Sequence, residues 1–160
     1  MAGAGRSTEV SVVVDAPAGR VYAAFVDPEA IVRWLPPGSM TGTVHRFEPR
    51  EGGAFSMSLR YTERDGRPEG KSDADTDTVE GTFARLVPDR LVVWETRFAA
   101  TDPAYAGKMT ITTTLEPLGE RTRVTMRCDG IPIGVRLEDN EAGTRESLEH
   151  LAGYLAGRRA

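Results

Sequence analysis

The segment from Leu137 to Gly157 constrains the fold of this chain more than any other stretch. It is the one segment long enough to form a major helix, and Leu148, Leu151 and Leu155 recur at the spacing that places side chains on a single helical face. Acidic residues crowd its first turn, as the helix dipole favours. A helix with one apolar face must bury that face, so the remainder of the chain has to supply a matching apolar surface.

The middle of the chain supplies that surface as a predicted β-sheet. Six segments are rich in β-branched or alternating apolar residues and are separated by turns or loops: 41–48, 54–62, 79–87, 91–98, 108–115 and 122–128. In the clearest of them, Phe55, Met57, Leu59 and Tyr61 share one face, which is typical of an antiparallel strand with one buried side. A further strand is predicted at 8–14.

Two short helices are predicted between the strand at 8–14 and the other six. The first helix covers residues 17–26, with Pro17 at its first helical position. The second begins with Asp27 as its N-cap. It ends after Trp34, because the Pro36-Pro37 pair cannot continue a helix.

Length and composition favour a single domain. A chain of 160 residues is long enough to bury a hydrophobic core. We assign residues 8–158 to this domain and residues 1–7 to a flexible N-terminus. Residues 63–78 are acidic and almost free of apolar side chains, which predicts a long, mobile hairpin connection.

Charge and residue usage exclude several classes of function. The net charge of −4 and the lack of a Lys/Arg cluster argue against nucleic acid as a partner. No apolar run approaches the roughly 18 residues of a membrane span, and no secretory signal is visible, so we expect a cytoplasmic protein. The single cysteine, Cys128, cannot form an internal disulfide, and His45 and His150 lack the spacing of metal ligands. We therefore predict neither a metal nor a cofactor.

Five short motifs follow one another in a recognisable order between residues 8 and 157. They are Ala16–Phe25, Asp27–Glu29 with Trp34, Arg50–Gly53, Gly81–Pro88 with Arg90-Leu91, and Glu146–Leu151. In these motifs the chain resembles the START-like (SRPBCC) helix-grip superfamily, and within it the activator of Hsp90 ATPase homologue 1-like family.

The resemblance implies an α+β helix-grip fold. In that fold a curved antiparallel sheet of about seven strands wraps around a long C-terminal helix, and two short helices follow strand 1. It also implies a cavity between the sheet and the long helix. It carries no universal catalytic residues, because members include binders of lipids or aromatic compounds, polyketide cyclases and chaperone partners.

The candidate cavity residues are the inward-facing sheet positions, residues beside them and the inner face of the long helix. They are mainly aromatic or flexible apolar side chains: Trp34, Phe55, Met57, Leu59, Tyr61, Phe83, Trp94, Phe98, Met109, Ile111, Thr113, Met126, Glu141, Thr144, Leu148 and Leu151. Cys128 also falls on the inward face. Gly143 and Gly153 are expected to leave room between the helix and the sheet.

The orientation of segment 91–98 is ambiguous from its pattern. Either Trp94, Thr96 and Phe98 point inward, or their neighbours Val93, Glu95 and Arg97 do. We favour the first arrangement, since it buries more apolar area.

No catalytic residues are predicted. His45 and His150 have no partner carboxylate or nucleophile placed by spacing, and Cys128 is interpreted as a small core residue. The favoured function is therefore binding of a small apolar or aromatic molecule. The alternatives are a cyclase- or hydrolase-type enzyme that uses the same cavity and an interaction module that modulates an Hsp90-type chaperone ATPase. A homodimer through an exposed strand edge is a further expectation.

Overall fold

The computed structural model describes residues 6–38, 40–60, 76–98, 103–105 and 107–157. Within these residues the chain forms seven strands and three α-helices, joined by turns and one short 3₁₀ helix at Pro103–Tyr105. In chain order they are β1 (Ser7–Val14), α1 (Ala18–Phe25), α2 (Pro28–Trp34), β2 (Thr41–Phe47), β3 (Ala54–Arg60), β4 (Thr76–Val87), β5 (Leu91–Phe98), β6 (Met109–Leu118), β7 (Arg121–Asp129) and α3 (Leu137–Gly157).

The seven strands form one curved antiparallel sheet in the order β1-β7-β6-β5-β4-β3-β2. Strands β2 to β7 pair with their neighbours in sequence, and β1 joins the far edge by pairing with β7. Together with the C-terminal helix this is the α+β helix-grip architecture that the sequence predicted. None of the helices within the described ranges has the length and hydropathy needed to span a membrane.

Helix α3 has the predicted bounds and buries the predicted face. Leu148 and Leu151 are 0% exposed and Leu155 is 2% exposed. Burial of each leucine contributes about 2 kcal/mol to folding. The helix packs against β1 and α2, and these leucines belong to the main hydrophobic core.

The two short helices differ from the prediction at one position. Asp27 caps α2 as expected, because its carboxylate accepts a hydrogen bond of 2.9 Å from the backbone N–H of Glu29. Pro17, however, has extended backbone angles and is the N-cap of α1, so Ala18 is the first helical residue. The difference is small. At the N-cap or at the first helical position a backbone N–H would have no partner within the helix, and proline has no N–H to leave unpaired.

Aromatic rings form the centre of the core. The ring of Phe25 lies 4.6 Å from that of Trp34 and 5.8 Å from that of Trp94, measured between centroids. Phe55 lies 5.6 Å from both Phe83 and Trp94. Tilted ring pairs at these distances add stabilisation beyond that of the buried area.

Strand β4 begins earlier than predicted. It starts at Thr76 rather than at residue 79, because Thr76 to Thr78 pair with the end of β3 from Arg60 to Ser58. These residues are not apolar, so alternation gave no signal for them. The rest of the predicted 63–78 connection lies outside the described residues, as does Tyr61.

At the N-terminus, Ser7 belongs to β1, although we expected it to be part of a flexible leader. Arg6 donates hydrogen bonds of 3.0 Å and 3.1 Å to the carbonyls of Ile131 and Pro132. These bonds link the start of β1 to the loop that precedes α3.

The favoured orientation of β5 is confirmed. Trp94 is 3% exposed and Thr96 is 2% exposed, whereas Arg97 is on the exposed side.

Candidate functional site

A cavity of about 420 Å³ lies between the sheet and the first half of α3. Its sheet wall is mostly apolar: Phe55, Met57, Leu59, Val79, Trp94, Thr96, Arg97, Phe98, Met109, Ile111, Met126 and Cys128. Its helical wall is polar or small: Asp139, Asn140, Ala142, Gly143, Thr144, Glu146 and Ser147. Connecting segments add Leu35, Pro37, Met40, Gly107, Pro132 and Val135.

The pairing of neighbouring strands places four residues of the sheet wall in one row. Trp94 of β5 lies opposite Ile111 of β6, and Ile111 lies opposite Cys128 of β7. Cys128 in turn lies opposite Thr8 of β1. Directly opposed residues of an antiparallel sheet share a face, so these four side chains form one row that changes from aromatic to polar across the sheet.

Gly143 leaves room in the opposite wall. A methyl group at this position would meet only the Pro37 ring, at 3.9 Å. Gly143 lines the cavity, as the sequence suggested. Gly153 does not: it is exposed and has no neighbour within 4 Å of an added methyl group. The expectation that Gly153 opens space over the sheet is therefore wrong.

A cluster of four uncharged polar side chains, which we call the polar patch, joins the two walls. It consists of Thr8, Cys128, Asn140 and Thr144. The Thr8 hydroxyl donates a hydrogen bond of 2.5 Å to Asn140 Oδ1. Cys128 lies opposite Thr8 in the sheet, and it lines the cavity together with Asn140 and Thr144.

Burial keeps the cysteine uncharged. It raises the pKa of the Cys128 thiol above its ordinary value, and the polar side chains of Thr144, Thr8 and Asn140 offset only part of the rise. The thiol is therefore protonated at neutral pH. Since the thiolate is the reactive form, Cys128 has the character of a buried wall residue rather than of a nucleophile.

The structure brings many of the predicted cavity residues together. Those that line the cavity are Phe55, Met57, Leu59, Trp94, Phe98, Met109, Ile111, Met126 and Thr144. Others are buried outside its lining: Trp34, Phe83, Thr113, Leu148 and Leu151. Trp34 donates its indole N–H to the Ala24 carbonyl at 2.9 Å and is a core residue. Glu141 is exposed, and Tyr61 lies outside the described residues.

Sequence reasoning missed Asn140, although a signal for it was present. Asn140 precedes Thr144 by four residues and Ser147 by seven, so the three lie on one helical face. The prediction extended the leucine stripe to Glu141 instead. The cavity residues from loops, such as Met40 and Pro132, have no periodic pattern that would have placed them.

The two histidines make structural contacts outside the cavity lining. His45 Nε2 is hydrogen bonded to Ser58 Oγ at 2.7 Å, and His150 Nδ1 donates to the Pro36 carbonyl at 3.0 Å. Among the residues that the structure describes, no three His, Cys, Asp or Glu side chains are grouped closely enough to hold a metal ion.

Comparison with known families identifies the domain. The family model described as "Activator of Hsp90 ATPase homolog 1-like protein" matches residues 15–156, nearly the whole chain. This chain belongs to that family. The activator-like family, as we call it below, is the one that the five sequence motifs indicated.

Solved structures share the fold of this activator-like domain. A crystal structure of a protein from Chromobacterium violaceum has a TM-score of 0.81 at 30% identity, covering 92% of this chain and 95% of that one. A protein from Rhizobium loti has a TM-score of 0.70 at 26% identity, with 92% and 95% covered. DynU16, from the dynemicin biosynthetic locus, has a TM-score of 0.66 at 20% identity, and the match covers 94% of this chain and 47% of DynU16. No functionally curated protein matches significantly.

Proposed function

We propose that this activator-like domain binds a small apolar or aromatic molecule in the cavity between the sheet and α3. The observation that carries the proposal is the volume of about 420 Å³ beside an aromatic and thioether wall. Small-molecule sites commonly have volumes of roughly 300–1,000 Å³ and combine an apolar lining with a few polar groups. The methionines of the sheet wall add adaptability to the shape of the guest.

The cavity is open to solvent and its helical wall is polar, so water enters it when no guest is bound. An apolar guest that displaces this water gains about 25 cal/mol for each Å² of apolar surface buried.

The chemistry of the lining favours binding over catalysis. The Cys128 thiol is held in its neutral form, and both histidines are engaged elsewhere. Asp139 and Glu146 lie on exposed positions of α3. A cyclase or hydrolase role in the same cavity is thus the less supported alternative.

The test uses two glycines of α3 as a matched pair. Gly143→Leu places a side chain in the cavity, whereas Gly153→Leu places the same side chain in open space on the same helix. Leucine is a better helix former than glycine, so both variants should fold. N-phenyl-1-naphthylamine, a neutral probe that fluoresces in apolar sites, is titrated into each protein.

We expect micromolar binding to the wild type and to Gly153→Leu, and at least about tenfold weaker binding to Gly143→Leu because the added side chain occupies the site. The proposal fails if the wild type does not bind the probe. It also fails if Gly143→Leu binds as tightly as Gly153→Leu.

The family match favours a second candidate, modulation of an Hsp90-type chaperone ATPase. This activity would use the outer surface rather than the cavity. It predicts that the purified protein raises the ATPase rate of the chaperone, and that Gly143→Leu does so equally well. An unchanged ATPase rate over a titration to excess domain would exclude it.

A further inference from the structure

The indole N–H of Trp94 is a buried hydrogen-bond donor in the wall of the cavity. Trp94 is 3% exposed, and among the residues that the structure describes its Nε1 atom has no hydrogen-bond partner. We propose that the ligand is a neutral aromatic molecule with an oxygen acceptor, such as a ketone, ester or ether, and that the Trp94 N–H donates a hydrogen bond to this oxygen. The inference rests on the proposed function, because it assigns the chemistry of the molecule that the cavity binds.

Two other buried groups show what distinguishes Trp94. Trp34 is also buried, but its indole N–H donates to the Ala24 carbonyl at 2.9 Å, as buried tryptophans usually do. The Thr113 hydroxyl is the second buried side-chain group without a partner in the described part of the chain, but it lies outside the cavity lining. Only Trp94, of these three, combines an unpaired donor with a place in the cavity wall.

Strand β5 holds Trp94 among apolar side chains. It is the middle strand of the sheet, and Trp94 lies opposite Phe83 of β4 and Ile111 of β6. The ring of Phe55 lies 5.6 Å from that of Trp94. None of these three neighbours has a side-chain oxygen that could accept from the indole. The acceptor therefore has to come from the ligand, whose aromatic body packs against the same apolar side chains.

A neighbouring side chain has to move before a ligand oxygen reaches the N–H, because the nitrogen is shielded even from water. Met57 is suited to this movement. It lines the cavity together with Trp94, and a smaller apolar void beside both residues gives it space to adjust. The unbranched thioether side chain of methionine adapts readily to a guest. Since the N–H has no water contact to lose, only the ligand oxygen is desolvated when the two pair.

The charges around Trp94 favour a neutral ligand. The side chains opposite it in the sheet are uncharged, and the burial of a carboxylate without a counter-charge is costly. Asp139 and Glu146 lie on the helical wall and would repel an anion. Arg97 is exposed and has the opposite parity on β5 from Trp94.

The test compares three naphthalenes by isothermal titration calorimetry. 2-Acetonaphthone carries the carbonyl oxygen, 2-isopropenylnaphthalene has a CH₂ group in its place, and 2-naphthoate carries a carboxylate. The two tryptophans of the chain provide a matched pair of variants. Trp94→Phe removes the proposed donor and keeps an aromatic ring, whereas Trp34→Phe makes the same change outside the cavity lining.

For the wild type and Trp34→Phe we expect the ketone to bind at least about fivefold more tightly than the alkene, and the carboxylate to bind more weakly than the ketone. In Trp94→Phe the ketone-to-alkene ratio should fall to about one. The ratio is the readout, because the space left by the smaller phenylalanine affects two probes of similar shape alike. An unchanged ratio in Trp94→Phe would overturn the assignment of the donor.

Proton–nitrogen NMR tests the same contact in the wild type. The two indole N–H signals are assigned from their through-space contacts, so this measurement holds even if a variant folds poorly. The Trp94 signal should lie further downfield in the ketone complex than in the alkene complex, because only the ketone accepts its proton. The Trp34 signal should be the same in both complexes. A Trp94 signal that is identical in the two saturated complexes would contradict the proposed hydrogen bond.

The outcomes separate this inference from the proposed function. If the ketone and alkene bind the wild type equally and Gly143→Leu abolishes both, the cavity binds ligands but Trp94 does not select them, so the inference fails alone. Tightest binding of the carboxylate overturns the assignment of a neutral ligand. If N-phenyl-1-naphthylamine and all three naphthalenes fail to bind the wild type, the proposed function fails and the inference with it.

Discussion

The two halves of α3 are built from the same helix but differ in what they contact. The second half buries Leu148, Leu151 and Leu155 completely and packs into the core. The first half presents Asn140, Gly143 and other polar or small residues to a cavity. The contrast shows that different turns of α3 serve different purposes. The second half contributes to stability, and the first half contributes to the proposed binding site. Variants in each half should therefore affect different measurements.

The largest expected effect comes from the second half. Leu151→Ala removes a fully buried side chain and should lower the free energy of unfolding by about 3 kcal/mol, through lost burial and the void that remains. Urea denaturation measures this loss. The folded fraction should still bind N-phenyl-1-naphthylamine normally, because Leu151 is outside the cavity lining. A stability close to that of the wild type would mean that the leucine half does not anchor the helix.

An intermediate effect is expected when glycine is replaced by alanine. Gly143→Ala and Gly153→Ala should each raise the free energy of unfolding by about 0.8–1 kcal/mol, because alanine is the better helix former and both sites have space for a methyl group. Only Gly143→Ala should also reduce probe affinity, by a few-fold, since its methyl group takes up cavity volume. If the two variants changed the probe affinity equally, the binding site would not be confined to the first half of α3.

The smallest expected effect is on stability at alkaline pH, and it involves Cys128 in the sheet wall that faces the first half of α3. Burial raises the pKa of Cys128 in the folded protein above the unfolded value of about 8.5. The native state then binds this proton more tightly than the unfolded chain. The resulting stabilisation is complete below about pH 8.5 and is lost as pH rises through the folded pKa.

Cys128→Ala should accordingly show a shallower loss of stability between pH 8 and 10 in urea denaturation. Tyr22, whose pKa is also raised by burial and by the charges of Asp89 and Glu51, titrates in both proteins, so the difference between them isolates the thiol. Parallel pH profiles of the two proteins would contradict the burial of Cys128.

The sequence predicted the leucine half better than the cavity half for a physical reason. Leu148, Leu151 and Leu155 signal burial by helical spacing alone. For β5 the pattern was ambiguous, and the larger apolar area of the face with Trp94 gave the correct orientation. The polar patch depends instead on β1 pairing with β7, which places Thr8 beside Cys128. Periodicity carries no information about pairing between strands so distant in sequence. It also places no loop residue, which is why Met40 and Pro132 were missed.

The pairing of β1 with β7 has a consequence for when the cavity becomes complete. Thr8 and Asn140 are 132 residues apart in the sequence, yet their hydrogen bond joins β1 to the lining of the cavity on α3. During synthesis the pocket is therefore incomplete until α3 docks on β1. A guest that binds there would hold β1 and α3 together, slowing hydrogen exchange in these two elements more than in the central strands.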